Sequence, residues 1–419
     1  MHKHENGKNR RTFGEATPQN HPAEKSVSRR EFIVNAAFVG AGAVALTGAA
    51  PTTALAEASK DTAAVAKEAS AAPKSAGGGK KLDEVLKAAR EALYPRCRVC
   101  PECDGWACSG EVPGFGGIGS GRSFRSNVDA LNRLQLKMKS VHDVKKPDTS
   151  VTLFGEKLAF PILSAATGGT TYNMGGKMSE EDYVDAILGG SLAVGSMGLV
   201  ADGTEETLQI YQSKLGVLAA HKGKGIAIMK PRAQDEVIKR VKAVEATGAL
   251  AFGIDIDSAG RAARAAVAGM VIEPKTIKQL KEIVRSTKLP FILKGVMTPE
   301  EAEIAVEIGA AGVLVSNHGG RVLDHTPGTA EVLPDIAKKV KGKLVILVDG
   351  GIRYGADVLK MLALGADAVL VGRPTIRGAY GGGREGVALI LKKMKNELDV
   401  ALILTGTADV KKVRRDILA

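Results

Sequence analysis

The sequence of 419 residues is poor in aromatic side chains, which make up 4% of it and include a single tryptophan. Proteins that bind single-stranded nucleic acid combine aromatic side chains with a basic groove or stripe. The formal net charge here is +12, but the lysines are scattered over helix-like segments such as 335–341. Scattered lysines are typical of solvated helix faces, so we expect no nucleic-acid binding.

Long apolar runs are also scarce. An uncharged stretch at 34–50 is interrupted by three glycines and follows Arg29 and Arg30. A twin arginine before a weakly apolar run, with a small-x-small cleavage site at 54–56, is typical of a twin-arginine export signal rather than a membrane anchor. We therefore expect a signal at 1–56 and a protein that works in the periplasm or another extracytoplasmic space. The segment 57–80, rich in Ala, Lys, Ser and Gly, predicts a flexible linker.

Cysteine is rare, and all four cysteines lie in one short segment, at Cys97, Cys100, Cys103 and Cys108. The first three, at two-residue gaps, match the start of a ferredoxin-type run, and four thiolates can hold a [4Fe-4S] cluster or a structural zinc. Two disulfides are an alternative in an exported protein, although cysteines so close in sequence would close only small loops. Free thiols are a third possibility. We expect a metal centre.

The chain lacks a G-x-G-x-x-G turn after its first predicted strand, which disfavours a doubly wound open sheet. After residue 150, short apolar runs instead alternate with longer amphipathic segments. The predicted strands are Ala159–Ala165, Leu192–Ser196, Gly225–Met229, Ala249–Ile254, Pro290–Lys294, Ala311–Ser316, Leu344–Val348 and Ala368–Val371. Eight such units predict an α/β fold, a TIM (β/α)8 barrel at 151–419, after a short N-terminal cap at 81–150 that carries the cysteines.

Polar residues cluster where the predicted strands end, which is where barrels of this kind hold their active sites. A histidine can accept a proton from a hydroxyl group, and a neighbouring carboxylate can orient its ring, so His318 is a candidate base. Arg321 can bind a carboxylate through two hydrogen bonds. The glycines and arginines of 350–353 and 372–373 follow the last two strands and are suited to a phosphate. We therefore predict a phosphate-bearing cofactor across the barrel mouth.

Three segments together, at 293–296, at 316–324 and from Val348 to Pro374, resemble the signature of the FMN-dependent α-hydroxy-acid oxidases and dehydrogenases. This family includes glycolate oxidase, lactate oxidase and mandelate dehydrogenase. The resemblance is dense from Pro290 onward and thinner over 127–260. It implies FMN as cofactor, a small hydroxy acid as substrate, transfer of the substrate's α-hydrogen to the flavin as a hydride, and a homo-oligomer, namely a tetramer. The electron acceptor is left open.

The resemblance also implies residue roles. His318 would remove the hydroxyl proton with support from Asp255, Arg321 would bind the substrate carboxylate, and Lys294 would stabilise the reduced flavin. The residues implied to bind FMN are Ala165, Ala166, Thr167, Ser196, Lys294, Ser316, Asp349, Gly350, Gly351, Arg353, Gly372 and Arg373.

Some positions depart from the family's pattern. Ala262 stands where the family has a second substrate-binding arginine, and Gly225 and Ala227 replace its strand-three glutamine and tyrosine. These departures keep open a flavin electron-transfer protein without hydroxy-acid turnover. The segment 160–169 also resembles type 2 isopentenyl-diphosphate isomerase, another FMN barrel. A cluster at the cysteines would favour a dehydrogenase over an oxidase.

Overall fold

A computed structural model of the protein describes residues 80–419. The predicted export signal and all but the last residue of the predicted linker lie outside the described residues. Within residues 80–419, no helix is both long enough and apolar enough to cross a membrane.

Eight parallel strands form a closed barrel, which confirms the predicted TIM barrel. A short antiparallel hairpin of β1 (Val151–Leu153) and β2 (Glu156–Leu158) precedes it. The barrel strands are β3 (Ile162–Thr167), β4 (Gly198–Ala201), β5 (Gly225–Met229), β6 (Ala251–Asp255), β7 (Phe291–Val296), β8 (Gly312–Val315), β9 (Val345–Val348) and β10 (Ala368–Val371). They are almost continuously apolar because side chains fill the barrel on one face and helices cover the other.

The helices lie in the cap and between the strands, as expected from the amphipathic segments. The cap contains α1 (Leu82–Leu93) and α2 (Arg122–Asn132). The helices of the barrel are α3 (Thr170–Met174), α4 (Glu180–Leu192), α5 (Leu208–Ala220), α6 (Gln234–Glu245), α7 (Ala262–Val267), α8 (Ile277–Arg285), α9 (Pro299–Glu307), α10 (Thr329–Val340), α11 (Gly355–Ala363) and α12 (Arg373–Thr405). Single 3-10 turns occur at Ile256–Arg261, Val410–Lys412 and Arg415–Ile417. Gly383, with φ of 59°, kinks α12.

The predicted strand at Leu192–Ser196 is wrong. Leu192 is the last residue of α4, and the strand begins only at Gly198. The apolar run that continues to Ala201 covers a helix end, a turn and a strand, and hydrophobic content alone does not show which part is extended. As a consequence Ser196 precedes β4 and lies at the amino end of the strand, away from the barrel mouth.

The cap approaches the barrel mouth through α2. Asn127 Nδ2 donates to Asn317 Oδ1 at 2.8 Å, and the backbone N–H of Ser120 donates to Asp324 at 2.6 Å. Gly320 packs so closely on the backbone of Phe124 that a Cβ at this glycine would lie 2.3 Å from the Phe124 nitrogen. These contacts hold the cap over the loop that follows β8, which contains His318.

Candidate active site

A cavity of about 350 Å³ opens at the carboxyl ends of the barrel strands. This volume lies in the range of small-molecule and cofactor sites. Most of the residues predicted to form the site line it: Ala165, Ala166, Thr167, Lys294, His318, Arg321, Asp349, Gly350, Gly351, Arg353, Gly372 and Arg373. Lys230, which follows β5, lines it as well. The structure therefore brings together residues that are far apart in sequence, since Ala165 and Arg373 are separated by 208 positions.

Two residues predicted to bind the cofactor do not line the cavity. Ser196 is buried before β4, and its hydroxyl donates to the carbonyl oxygen of Ile162. Ser316 is buried directly beneath the site, where its Oγ accepts a hydrogen bond from the backbone N–H of His318 at 3.0 Å and its hydroxyl adjoins the carboxylate of Asp349. Ser196 was misplaced by the wrong strand bounds, whereas Ser316 follows β8 and lies one layer beneath the cavity wall, next to Asp349.

His318 contacts two carboxylates, and the nearer one is not the predicted one. Its Nδ1 lies 3.1 Å from Asp257 Oδ1 and 3.4 Å from Asp255 Oδ1. Since Nδ1 faces the carboxylates, Nε2 is the ring nitrogen left for a substrate. Asp257 follows Asp255 by two residues on the turn after β6, and that spacing is the signal by which the sequence could have revealed it.

Asp255 is held mainly by two lysines. Lys230 Nζ lies 2.7 Å from its Oδ2, and Lys294 Nζ lies 2.6 Å from its Oδ1. Burial by itself would raise the pKa of Asp255, but the charges of His318, Lys230 and Lys294 together hold that pKa well below its ordinary value. Burial lowers the pKa of Lys230, whereas for Lys294 the neighbouring carboxylates outweigh burial and raise the pKa. Asp255 is therefore ionised, and it fixes the position of both lysines.

One end of the cavity has unused hydrogen-bonding groups. Arg353 Nε, Arg353 Nη2 and Asp349 Oδ1 are buried and have no hydrogen-bond partner among the described residues. Buried polar groups are normally paired, so these atoms indicate a bound polar group. Arg353 suits a phosphate, and Asp349 can accept from a sugar-like hydroxyl.

Arg373 lies at the same end, and its environment is strongly positive. Burial, together with the charge of Arg353, lowers the pKa of Arg373 to about 10. Arg373 is the first residue of α12, so the positive end of that helix dipole faces the site as well. Gly350 and Gly351 have φ of 102° and 77°, a backbone conformation that favours glycine. Arginines, a helix amino end and bare backbone amides together fit a phosphate group.

Further arginines line the cavity, and Arg321 lies near Arg373, because both donate to the carbonyl oxygen of Gly116. Arg321 donates to the carbonyl oxygens of Gly114, at 2.6 Å, and Gly116, at 3.1 Å. Burial and the neighbouring arginine charges hold the pKa of Arg321 well below its ordinary value. Arg261 and Arg264 line the same cavity, and Arg261 Nη2 is buried with no hydrogen-bond partner within residues 80–419. These guanidinium groups are suited to an organic anion such as a carboxylate.

Arg261 was missed in the sequence because the family's second arginine aligns with Ala262. The 3-10 turn ends at Arg261, and α7 begins at Ala262. The guanidinium group of Arg261, one position before Ala262, therefore faces the cavity. The four cysteines do not line this cavity and border a separate one, described below.

The barrel, the phosphate-binding end and the histidine between acidic and basic neighbours define the class: an oxidoreductase barrel with a phosphate-bearing cofactor. A sequence model of the family described as FMN-dependent dehydrogenase matches residues 115–275 and 228–419. The chain belongs to this family.

Individual relatives agree with this assignment. A 2-hydroxyacid oxidase of Dictyostelium discoideum is 32% identical over 324 residues, covering 70% of this chain and 81% of the relative. 2-Hydroxyacid oxidase 1 of Homo sapiens is 30% identical over 332 residues, covering 72% of this chain and 90% of the relative. The crystal structure of a mandelate oxidase superposes with a TM-score of 0.65 at 27% identity, covering 81% of this chain and 97% of that one.

Proposed function

We propose that the protein oxidises a small α-hydroxy acid to the corresponding 2-oxo acid with FMN as cofactor. The observation that carries this proposal is His318 at the cavity wall, with Nδ1 held by acidic side chains, in a cavity also lined by Arg261 and Arg353, which have buried nitrogens with no partner within residues 80–419. FMN, when bound, supplies the two-electron acceptor for the substrate's α-hydrogen. Family membership favours this function over an isomerase related to the isopentenyl-diphosphate enzyme.

The proton is handled by His318. Nε2 accepts the proton of the substrate hydroxyl, while Asp257 accepts a hydrogen bond from Nδ1 and stabilises the imidazolium that results. Asp255, 3.4 Å from the same nitrogen, adds a second negative charge. Lys294 keeps Asp255 ionised and brings a positive charge to the cavity wall, where it would offset negative charge on the reduced cofactor.

The substrate carboxylate is bound by arginines. Arg321 is the residue implied by the family, and Arg261 offers the unpaired Nη2 that substitutes for the family's missing second arginine. Two guanidinium groups fix both the position and the orientation of a carboxylate, which places its α-carbon beside the base. Gly225 and Ala227 therefore do not remove the means of binding a hydroxy acid.

The test is anaerobic reduction of the bound flavin by a panel of 2-hydroxy acids, followed through the visible absorption of FMN. We expect at least one acid to bleach the flavin. Two control compounds separate the contribution of the hydroxyl from that of the carboxylate. One is the same acid without its hydroxyl, and the other is its methyl ester, which lacks the carboxylate charge. If no member of a broad panel reduces the flavin, while dithionite does, the protein is a flavin electron-transfer protein and the proposal fails.

Asp257 provides a specific prediction. In Asp257→Asn the amide oxygen still accepts from His318 Nδ1, but the negative charge 3.1 Å away is lost. We expect flavin reduction to slow by about 10- to 100-fold, since the imidazolium formed in the reaction is less stabilised. Asp257→Glu, which keeps the charge, should restore the rate in part. An unchanged rate in Asp257→Asn, or no recovery in Asp257→Glu, would contradict the assigned role of the charge.

A second specific prediction concerns Arg261. Arg261→Ala should raise KM for the hydroxy acid by about 10-fold or more with a smaller change in kcat, because a charge-assisted contact contributes about 1.5–3 kcal/mol. Arg285, on α8 and remote from the cavity lining, is a matched control whose replacement by alanine should leave KM unchanged. Equal KM values for Arg261→Ala and the unmodified protein would contradict the assigned role.

We also propose that the protein is exported by the twin-arginine route and acts outside the cytoplasm as a homo-oligomer, a tetramer. Arg29, Arg30 and the weakly apolar run after them support export, and the family resemblance supports the tetramer. Replacing both arginines by lysine should retain the protein in the cytoplasmic fraction of a host with this route. Undiminished export would contradict the proposal, and light scattering of the purified protein measures its oligomeric state.

A further inference from the structure

The cysteine segment of the cap surrounds a second, smaller cavity. All four cysteines border it, its volume is about 20 Å³, and within residues 80–419 none of the four is in a disulfide. A single water needs roughly 10 to 15 Å³. The four cysteines therefore border one common space that admits at least a water-sized probe.

The distances between the sulfurs argue against a single zinc ion. Zinc bonded to four sulfurs at about 2.3 Å would bring every pair of them to about 3.8 Å and leave no space between them. In the described part of the chain, no three of these sulfurs lie within 4.8 Å of one another. A [4Fe-4S] cluster, whose irons and sulfides stand between the thiolates, holds its four ligand sulfurs farther apart than a single zinc ion does, which is compatible with this spacing.

The charges around the small cavity suit an anionic cluster. Arg373 and Arg377 border it beside the thiols, and Arg377 Nη2 donates to Cys97 Sγ at 3.8 Å. The backbone N–H of Val99 donates to the same sulfur at 3.4 Å. Hydrogen bonds and cations near the thiolates stabilise a cluster with four thiolate ligands and favour its reduced form.

The small cavity adjoins the active-site cavity. Phe115 and Arg373 line both of them, and Arg373 Nε donates to the carbonyl oxygen of Phe115 at 2.8 Å. A single layer of side chains thus separates the cysteines from the end of the cavity that fits the FMN phosphate. A redox centre in the small cavity would be a near neighbour of the flavin.

We propose that Cys97, Cys100, Cys103 and Cys108 hold a [4Fe-4S] cluster that accepts electrons from the reduced flavin. The cluster itself does not depend on the proposed function, but the supply of electrons from a hydroxy acid does. Oxidation of the acid releases two electrons with the hydride, and the hydroxyl proton leaves through His318. The cluster carries the electrons singly to a one-electron acceptor protein, two of which are reduced per turnover. The protein then acts as a dehydrogenase.

The cluster is tested by its composition. The full chain, purified without oxygen and reconstituted with iron and sulfide, should bind about four irons and four sulfides and absorb broadly beyond the flavin bands. Cys100→Ser should lose the iron and keep FMN, which shows that the barrel is folded. Ser109→Ala changes the same loop without removing a thiol and should keep the iron. One zinc per chain that iron cannot replace, or no metal and a mass that corresponds to two disulfides, overturns the proposal.

The relay is tested separately by reducing the flavin photochemically in the absence of oxygen and substrate. We expect an electron-paramagnetic-resonance signal of the reduced cluster in the unmodified protein and none in Cys100→Ser. A cluster that stays oxidised while the flavin is fully reduced overturns the relay. If light-driven reduction reaches the cluster but no hydroxy acid reduces the flavin, the relay stands and the proposed hydroxy-acid oxidation fails, so the two failures are distinguishable.

Discussion

His318→Ala is expected to lower the rate of flavin reduction by a hydroxy acid by about 10²- to 10⁴-fold while FMN stays bound. The substitution removes the nitrogen that accepts the hydroxyl proton and leaves the phosphate end of the cavity intact. Stopped-flow measurement of the anaerobic reduction gives the rate, and the visible spectrum before mixing gives the flavin content. An unchanged rate would remove His318 from the mechanism.

The backbone conformation at His318 determines which further substitution is informative. His318 has φ of 59°, a left-handed conformation that asparagine tolerates better than alanine, so His318→Asn separates loss of the base from strain in the loop. His325, in the same loop and also at positive φ, has a side chain 71% exposed and serves as the matched control. His325→Ala should leave the rate unchanged. Equal loss in all three variants would indicate damage to the loop instead of loss of a base.

The barrel could be predicted from the sequence because buried parallel strands are short apolar runs between amphipathic helices. The bounds of β5 and β10 match the prediction, since each run is flanked by polar or glycine residues. The bounds of β4 were wrong because the end of α4, a turn and the strand form one apolar stretch. The hydrophobic pattern therefore predicts the bounds of a strand well only where polar residues or glycines mark its ends.

The site was predicted in outline for the same reason: carboxyl ends of parallel strands meet at the barrel mouth, so polar residues there converge. The partners within the site could not be predicted. Asp257 and Arg261 lie on a 3-10 turn, and only its actual path shows that the first reaches His318 Nδ1 and the second faces the cavity. Likewise, the cysteine spacing indicated a metal centre but could not show that the cavity it borders shares Phe115 and Arg373 with the flavin site.

Arg353→Met is expected to weaken FMN binding by about 10- to 150-fold, because a charge-assisted contact to the phosphate contributes about 1.5–3 kcal/mol. The same substitution should raise the melting temperature of the FMN-free protein. Two nitrogens of the half-buried Arg353 are buried and have no partner in residues 80–419, so its charge destabilises the FMN-free protein, and methionine fills the space without that cost. One change thus has opposite effects on affinity and on stability.

Riboflavin lacks the phosphate, so a comparison of riboflavin with FMN measures the contact between Arg353 and the phosphate. If Arg353 binds the phosphate, Arg353→Met lowers the affinity for FMN and leaves the affinity for riboflavin unaltered. The ratio of the two affinities then falls by the same factor as the affinity for FMN. Arg414, 80% exposed, is the control arginine whose replacement should change neither affinity nor melting temperature. Fluorescence titration of the apoprotein with both flavins supplies the numbers. An equal loss for FMN and riboflavin would place Arg353 against the ring or the ribityl chain, and the phosphate would then have to be held by Arg373 and the amino end of α12.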